Sequence, residues 1–363
     1  MDGASRNALD IARAAIAAGG AAVAAARGGA LVAEFRQSGG VHLALPFDGL
    51  SPLTRWRVAR RLRSAAIQHR ISIIHAYGRR GSRLARRVSK ATGIPFVVSP
   101  IANENHEPEQ WLVPDMAAAR AIVAASDFVA SLVPAALPAA PRVEIIPRGV
   151  DLGRFDPGAV RPEKLVRQMQ DWRAGDLSDV ILIPGRVSPG KGHDVLLRAM
   201  ARMANKRATL LIVSRDDDDE KFRESLMALI AALKLEGRAR FVSQAPDMPA
   251  AYMLADVVAV PSRTPEAFNS TCAEALAMGR PVVATSAGGT PDIVVDGETG
   301  WLVPPADAEA LARALDAALA LGETERVRLG KAGRARIEER FSLTSVRERM
   351  LALYADVSAR GRD

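Results

Sequence analysis

The chain has 363 residues, a length that suits two domains better than one core. Its composition, 48% apolar and 25% charged, excludes a disordered or low-complexity class, and a single cysteine, Cys272, excludes an intrachain disulfide and a multi-cysteine metal centre. The net charge of +8 is uneven, because residues 1–150 carry 19 Lys/Arg against 10 Asp/Glu.

In chain order, short β-type runs alternate with helical periodicity. The first half predicts a helix at 4–18 and strands at 21–26, 41–45, 71–75, 95–99, 127–130 and 143–147, with helices at 52–69 and 79–92. From Arg55 to Lys90 there are twelve basic residues and no acidic one. Such a patch attracts polyanions, an anionic membrane surface among them, although a merely solvated surface reads the same way. Nucleic acid is not expected as a partner, since neither an aromatic platform nor a known module is present. The segment RGVDLGRFDPG (148–158) breaks periodicity with Gly and Pro and predicts a boundary between domains 1–150 and 151–342. The second half predicts strands at 179–184, 208–213, 239–242, 256–260 and 281–284. Helices are predicted there at 190–205, 219–235, 247–254, 270–278, 307–321 and 323–340, with a separate amphipathic helix at 343–361. Two such series predict an α/β chain with two doubly wound, Rossmann-like domains.

No apolar run reaches the ~18 residues of a membrane span, and Arg6, Asp10 and Arg13 interrupt the Ala-rich start, so no secretory leader is expected. The expected location is the cytoplasm, peripheral at the inner membrane face. A doubly wound domain normally opens with a strand, yet this chain opens with MDGAS and a helix. Either a first strand lies outside the sequence, or the N-domain sheet is reduced.

The chemistry-bearing residues cluster at predicted strand ends. Glu266 and Glu274 follow strand 256–260, the first in a loop and the second inside the next helix. There the amides of Phe268, Asn269 and Ser270 are available to sugar or phosphate oxygens. A buried Glu274 suits a ribose diol. Gly288-Gly289-Thr290 follows the next strand and permits close backbone approach to an anion. PGRVSPGKG (184–192) lacks P-loop spacing but places Arg186 and Lys191 at a strand end, where two cations suit a departing diphosphate. The run Asp216–Asp219 fits the N-terminus of a helix better than a metal site, and no metal is expected.

On the Glu266/Glu274 spacing, EALAMGRPVVAT, the glycine pair, Gly300-x-Leu302-Val303 and the Arg186/Lys191 loop, the second half resembles glycosyltransferase family 4. These are retaining enzymes of the GT-B fold, of the bacterial cell-envelope polysaccharide and lipopolysaccharide type. The resemblance implies two Rossmann-like domains facing a central cleft, with the last helix crossing back to the N-domain. It implies a nucleotide-diphosphate sugar donor of UDP or GDP type, no cofactor and no metal, and a glycan or lipid-linked acceptor. Arg186 and Lys191 are then expected to grip the diphosphate, Glu266 and the Phe268–Ser270 amides to contact the sugar, and Glu274 to hold the ribose. Thr290 is expected to close on the phosphates, and the base to lie near Ser214 and Gln244.

Asn269 stands where the family usually has Gly, and Asp292 where it usually has Glu. The N-domain glycine loop survives only as Gly3. On the acceptor side, Asn103, Glu104 and His106 stand near the place of the family's histidine. A nucleotide-sugar epimerase and a non-catalytic nucleotide-sugar-binding homologue are the alternatives.

Overall fold

The computed structural model describes residues 3–46, 51–101, 113–137, 141–215 and 218–360. It divides into two units, Met1–Gly149 with Thr344–Asp363, and Val150–Leu343. The acceptor-side expectations at Asn103, Glu104 and His106 lie outside the described residues.

Unit 1 runs α1 (Gly3–Ala17), β1 (Val23–Ala26), α2 (Leu31–Gln37), β2 (Val41–Ala44), α3 (Pro52–Gln68), β3 (Ile74–Tyr77), α4 (Gly78–Thr92), β4 (Phe96–Ser99), β5 (Ala121–Ala124), α5 (Asp127–Ala136) and β6 (Arg142–Ile145). Strands β1 and β2 form a parallel pair, and β3-β4-β5-β6 a second parallel sheet in sequence order. Among the described residues no strand precedes α1, and Gly3 is its first residue rather than part of a loop.

Two expectations are corrected here. Residues 127–130 are not a strand but the start of α5. The Ser126 side chain accepts from the Val129 N–H, and Asp127 sits in the first turn, so the local chemistry is a helix start. The strand lies earlier, at β5, which is fully buried. The strand expected at 71–75 begins later, as β3. The exit turn of α3 takes up the preceding residues, and Ile71 N–H donates to Ala66 O.

Unit 2 runs α6 (Pro162–Asp171), β7 (Val180–Ile183), α7 (His193–Arg202), β8 (Thr209–Val213), α8 (Glu220–Ala232), β9 (Ala239–Val242), α9 (Met248–Leu254), β10 (Val257–Val260), α10 (Ser270–Ala277), β11 (Val282–Thr285), α11 (Thr290–Ile293), β12 (Gly300–Val303), α12 (Ala308–Leu319) and α13 (Glu323–Arg340). Its six strands are parallel in the order β12-β11-β10-β7-β8-β9. Strands β7, β8 and β10 are buried at every position, which is why VILI, TLLIV and VVAV show no alternation of polar and apolar residues. Helices α7 and α12 cover one face through Leu196, Leu197, Met200 and Leu315, packed on Ile181, Leu210 and Ile212.

That strand order marks the crevice where open α/β sheets take their ligands. The halves β7-β8-β9 and β10-β11-β12 leave the sheet centre in opposite directions. The crevice at the carboxyl ends of β7 and β10 is therefore the topological switch point.

The chain leaves unit 1 at Gly149–Val150 and returns at Leu343–Thr344. The two passages are bonded side by side inside unit 2: Val150 N–H donates to Phe341 O at 2.8 Å, and Leu343 N–H to Val150 O at 2.9 Å. The last helix, α14 (Leu343–Arg360), packs in unit 1, where Val346, Met350, Leu353 and Val357 join Ile11, Val97 and Val123.

Candidate active site

Three loops meet at the switch point. The loop after β7 carries Arg186 and Lys191 and ends at Gly192, whose φ of +73° suits glycine. A Cβ there would stand 1.9 Å from Pro261 O, so only glycine allows this loop against the one after β10. The Arg263 N–H donates to Gly190 O at 2.8 Å and holds the two together. The loop after β11 reaches the same place. Gly288 has φ +60° and lies so close to Glu266 that a Cβ would be 2.3 Å from Glu266 O. Gly289 N–H donates to that oxygen at 2.8 Å.

Glu266 is thus fixed through its backbone by the glycine pair and through its side chain by three donors. Lys191 Nζ donates to Oε2 at 2.7 Å, while Ser262 Oγ and Asn269 Nδ2 donate to Oε1 at 2.8 and 3.3 Å. The Lys191 and Glu266 side chains are 27% and 25% exposed, open enough to meet a ligand and covered enough to be weakly screened. Asn269 also caps α10, its Oδ1 accepting from Cys272 N–H at 3.3 Å. The other first-turn amides of α10 have no intrahelical acceptor and suit oxygens of a bound anion or sugar. Phe268 is buried beneath the loop against Phe341, with ring centroids 5.9 Å apart.

Glu274 lies one turn further along α10. Tyr252 of α9, itself buried, donates its hydroxyl to Glu274 Oε2 at 2.9 Å. Burial pushes the Glu274 carboxyl up from its usual 4.5 to about 7, against the opposing pull of the Tyr252 hydroxyl and of Arg154. Tyr252 meets the edge of Phe155, with centroids 6.2 Å apart, and the Arg154 guanidinium lies over Phe155.

The remaining expected residues fall around this centre. Arg186 is half-buried in the loop after β7. Thr290 is buried and is the first residue of α11. Ser214 follows β8 and Gln244, exposed, follows β9, so both stand at carboxyl ends on the β8/β9 side. Gly3 belongs to unit 1, the others to unit 2.

Asp218 holds the loops in place. It accepts from Val187 N–H at 2.7 Å, from Ser214 Oγ at 3.0 Å and from Arg215 N–H at 2.7 Å, joining the loops after β7 and β8. Asp219 caps α8. Asp216 and Asp217 lie outside the described residues. His193, first in α7, is buried, which lowers its ring to about 4 and keeps it neutral near pH 7.

Sequence reasoning missed Ser262, Tyr252 and Asp218 as partners. Ser262 had a signal, four residues before Glu266 at a strand end. Tyr252 had none, being 22 positions from Glu274 on another helix.

Residues 167–336 match the family model described as Glycosyl transferases group 1, and residues 1–154 match Glycosyltransferase Family 4. Both units carry glycosyltransferase-family domains. Among solved structures, a glycosyltransferase from Rickettsia africae ESF-5 is 25% identical with a TM-score of 0.89, covering 97% of this chain and 94% of its own. Anabaena Alr3699/HepE, crystallised with UDP, is 20% identical with a TM-score of 0.83, covering 98% and 96%. The fold is the two-domain α/β fold of these glycosyltransferases, GT-B.

Curated glycosyltransferases named D-inositol 3-phosphate glycosyltransferase are also similar. That of Segniliparus rotundus is 35% identical over 223 residues, 59% of this chain and 46% of the relative. That of Saccharomonospora viridis is 34% identical over 228 residues, 60% and 51%. The chain spans about half the length of these curated relatives.

Proposed function

We propose that the chain is a retaining glycosyltransferase that transfers a sugar from a UDP- or GDP-type donor to a glycan or lipid-linked acceptor. The setting is cell-envelope polysaccharide synthesis, of the lipopolysaccharide type, in the cytoplasm at the inner membrane face. The basic residues 55–90 meet the anionic membrane surface. No metal or cofactor takes part; the cations Lys191 and Arg186 take the charge of the departing diphosphate.

The observation that carries this reading is the Lys191–Glu266 pair at the switch point, 2.7 Å long, with Glu274 in the next helix turn. Lys191 Nζ keeps two further N–H donors for phosphate oxygens while Glu266 holds it in place. Glu274 keeps one carboxylate oxygen clear of Tyr252 for a ribose diol. The donor's anomeric carbon–oxygen bond breaks as the diphosphate leaves, the acceptor oxygen bonds to the same face, and the acceptor's hydroxyl proton passes to the departing diphosphate oxygen, so no carboxylate nucleophile is needed. HepE's complexes with UDP and with UDP-glucose accord with this donor class.

The test is nucleoside-diphosphate release from a panel of UDP- and GDP-sugars, with and without a membrane extract as acceptor source. Full donor turnover by Glu274→Gln or Lys191→Ala would overturn the assignment. Calorimetry with nucleotide diphosphates separates a non-catalytic binding homologue, and sugar products formed without acceptor separate an epimerase.

A further inference from the structure

Helix α3 presents an apolar stripe to solvent. Leu53, Trp56 and Ile67 are 58%, 57% and 61% exposed, three of the large apolar side chains the fold leaves uncovered. With Arg60 and Ser64 they occupy positions i, i+3, i+7, i+11 and i+14, which fall on one face of a helix. At 1.5 Å per residue the stripe is ~21 Å long. The opposite face is the buried one. Val58 and Leu62 pack with Leu45 and with Leu84 of α4, and Ala65 and Ala66 are also covered. The outward direction of Leu53, Trp56 and Ile67 is therefore fixed by the core beneath them.

The charge around the stripe has one sign. Arg57 and Arg61 flank one side and Arg63 the other, all exposed, while Arg60 lies over the Trp56 ring at 5.7 Å. On α4, Arg79, Arg87 and Lys90 are exposed as well. No acidic residue occurs from Gly49 to Asn103. Asp115, from outside this stretch, pairs with Arg83 and Arg86. An apolar stripe framed by arginines is the composition of a helix lying in a membrane interface, where apolar insertion and headgroup attraction add. Single-stranded nucleic acid would use the aromatic ring and the cations but would leave Leu53 and Ile67, at the two ends, without a partner.

We infer that α3 docks the protein flat on a bilayer of anionic lipid, inserting Leu53, Trp56 and Ile67 among the acyl-chain ends while the arginines of α3 and α4 bind headgroup phosphates. This rests on the membrane-facing part of the function proposed above and is independent of the donor chemistry in unit 2.

The test is co-sedimentation of the full chain with vesicles of phosphatidylcholine alone or mixed with phosphatidylglycerol. The wild type binds the mixed vesicles, binds phosphatidylcholine weakly, and is released by salt. Brominated acyl chains quench part of its tryptophan emission, and Trp56→Phe abolishes that part. The double variant Leu53→Glu/Ile67→Glu binds at least ten-fold more weakly, while its melting temperature and its calorimetric affinity for nucleoside diphosphate stay at wild-type values. Arg57→Gln/Arg60→Gln/Arg63→Gln binds more weakly and with a shallower salt dependence. The inference is overturned if the wild type ignores anionic vesicles, if Leu53→Glu/Ile67→Glu binds them unchanged, or if Trp56 is not quenched. Retention on single-stranded DNA without vesicle binding overturns it in favour of a nucleic-acid surface. Loss of diphosphate binding with vesicle binding intact would count against the donor site alone.

Discussion

Lys191 Nζ donates to Glu266 Oε2 at 2.7 Å, joining the loop after β7 to the loop after β10. The pair crosses the point where the sheet reverses its winding, so each residue holds the other in place at the proposed donor site. Lys191→Ala is expected to lower kcat/KM for the donor by ~10²–10³, the size of removing one preorganised charge stabiliser. In a double-mutant cycle with Glu266→Gln, the two losses should fall well short of additive. Independent, additive effects would show that the pair does not act as a unit.

Glu274 titrates at about 7 in the folded chain, and its ionised form is the better acceptor for a diol. Donor affinity should therefore rise as pH increases through about 7 and level off above it. Binding near that pH should release protons, read by calorimetry in buffers of different ionisation enthalpy. Tyr252→Phe removes a hydrogen bond to the ionised form and should move the midpoint upward, while the ring still packs on Phe155.

The same carboxyl has a stability consequence. Its folded value lies above its unfolded one, so ionisation opposes folding. The cost is absent below pH 4.5 and grows between 4.5 and about 7, to roughly 3–4 kcal/mol at ~1.4 kcal/mol per unit. Glu274→Gln should melt higher than wild type at pH 8, and the gap should close by pH 4.5. A pH-independent difference in melting temperature would contradict the buried carboxyl.

His75 and His193 work in the other direction. Burial lowers them to about 3 and about 4, so the unfolded chain takes up protons that the folded one refuses. Their contribution is complete above pH 6.5 and is lost as pH falls from 6.5 toward those values. His75 also bridges Ser99 and Tyr354 through its two ring nitrogens, linking β3, β4 and α14. His75→Gln should flatten the acid side of the stability curve, measured by denaturant unfolding between pH 4 and 7, while costing stability at pH 8.

Gly288→Ala should place a methyl group 2.3 Å from Glu266 O and force φ +60° on an alanine. Its expected effect is loss of donor turnover by ~10² or more, because a misplacement of about 1 Å near the chemistry costs that much. Gly297→Ala, also at positive φ but with open space around its Cβ, controls for the backbone cost alone.

Much of this site could be read from the sequence because its parts stand at strand ends. Arg186 and Lys191, Glu266, and Gly288-Gly289 each follow an apolar run that becomes β7, β10 or β11, and one sheet brings their loops together. What adjacency in the chain does not encode was missed. Tyr252 reaches Glu274 only through the packing of α9 beside α10, and Asp218, read as a helix-end charge, ties the loops after β7 and β8. In unit 1, AIVA at 121–124 is too short to stand out, while Asp127-Phe128-Val129-Ala130 has strand-like side chains behind a helix-capping serine. The basic run of α3 was plain as charge. The register that exposes Leu53, Trp56 and Ile67 on one face follows from which residues the core beneath has claimed.

The bonds joining Val150 to Phe341 and Leu343 also bear on how the gene can be cut and spliced. They hold the two ends of unit 2 at one point, so residues 150–343 form a self-contained insert within the coding sequence of the other unit. Such a cassette is expected to fold when expressed alone, its termini already bonded to each other. It can also be exchanged for that of another glycosyltransferase at a seam of two backbone crossings, and donor preference should then travel with the insert.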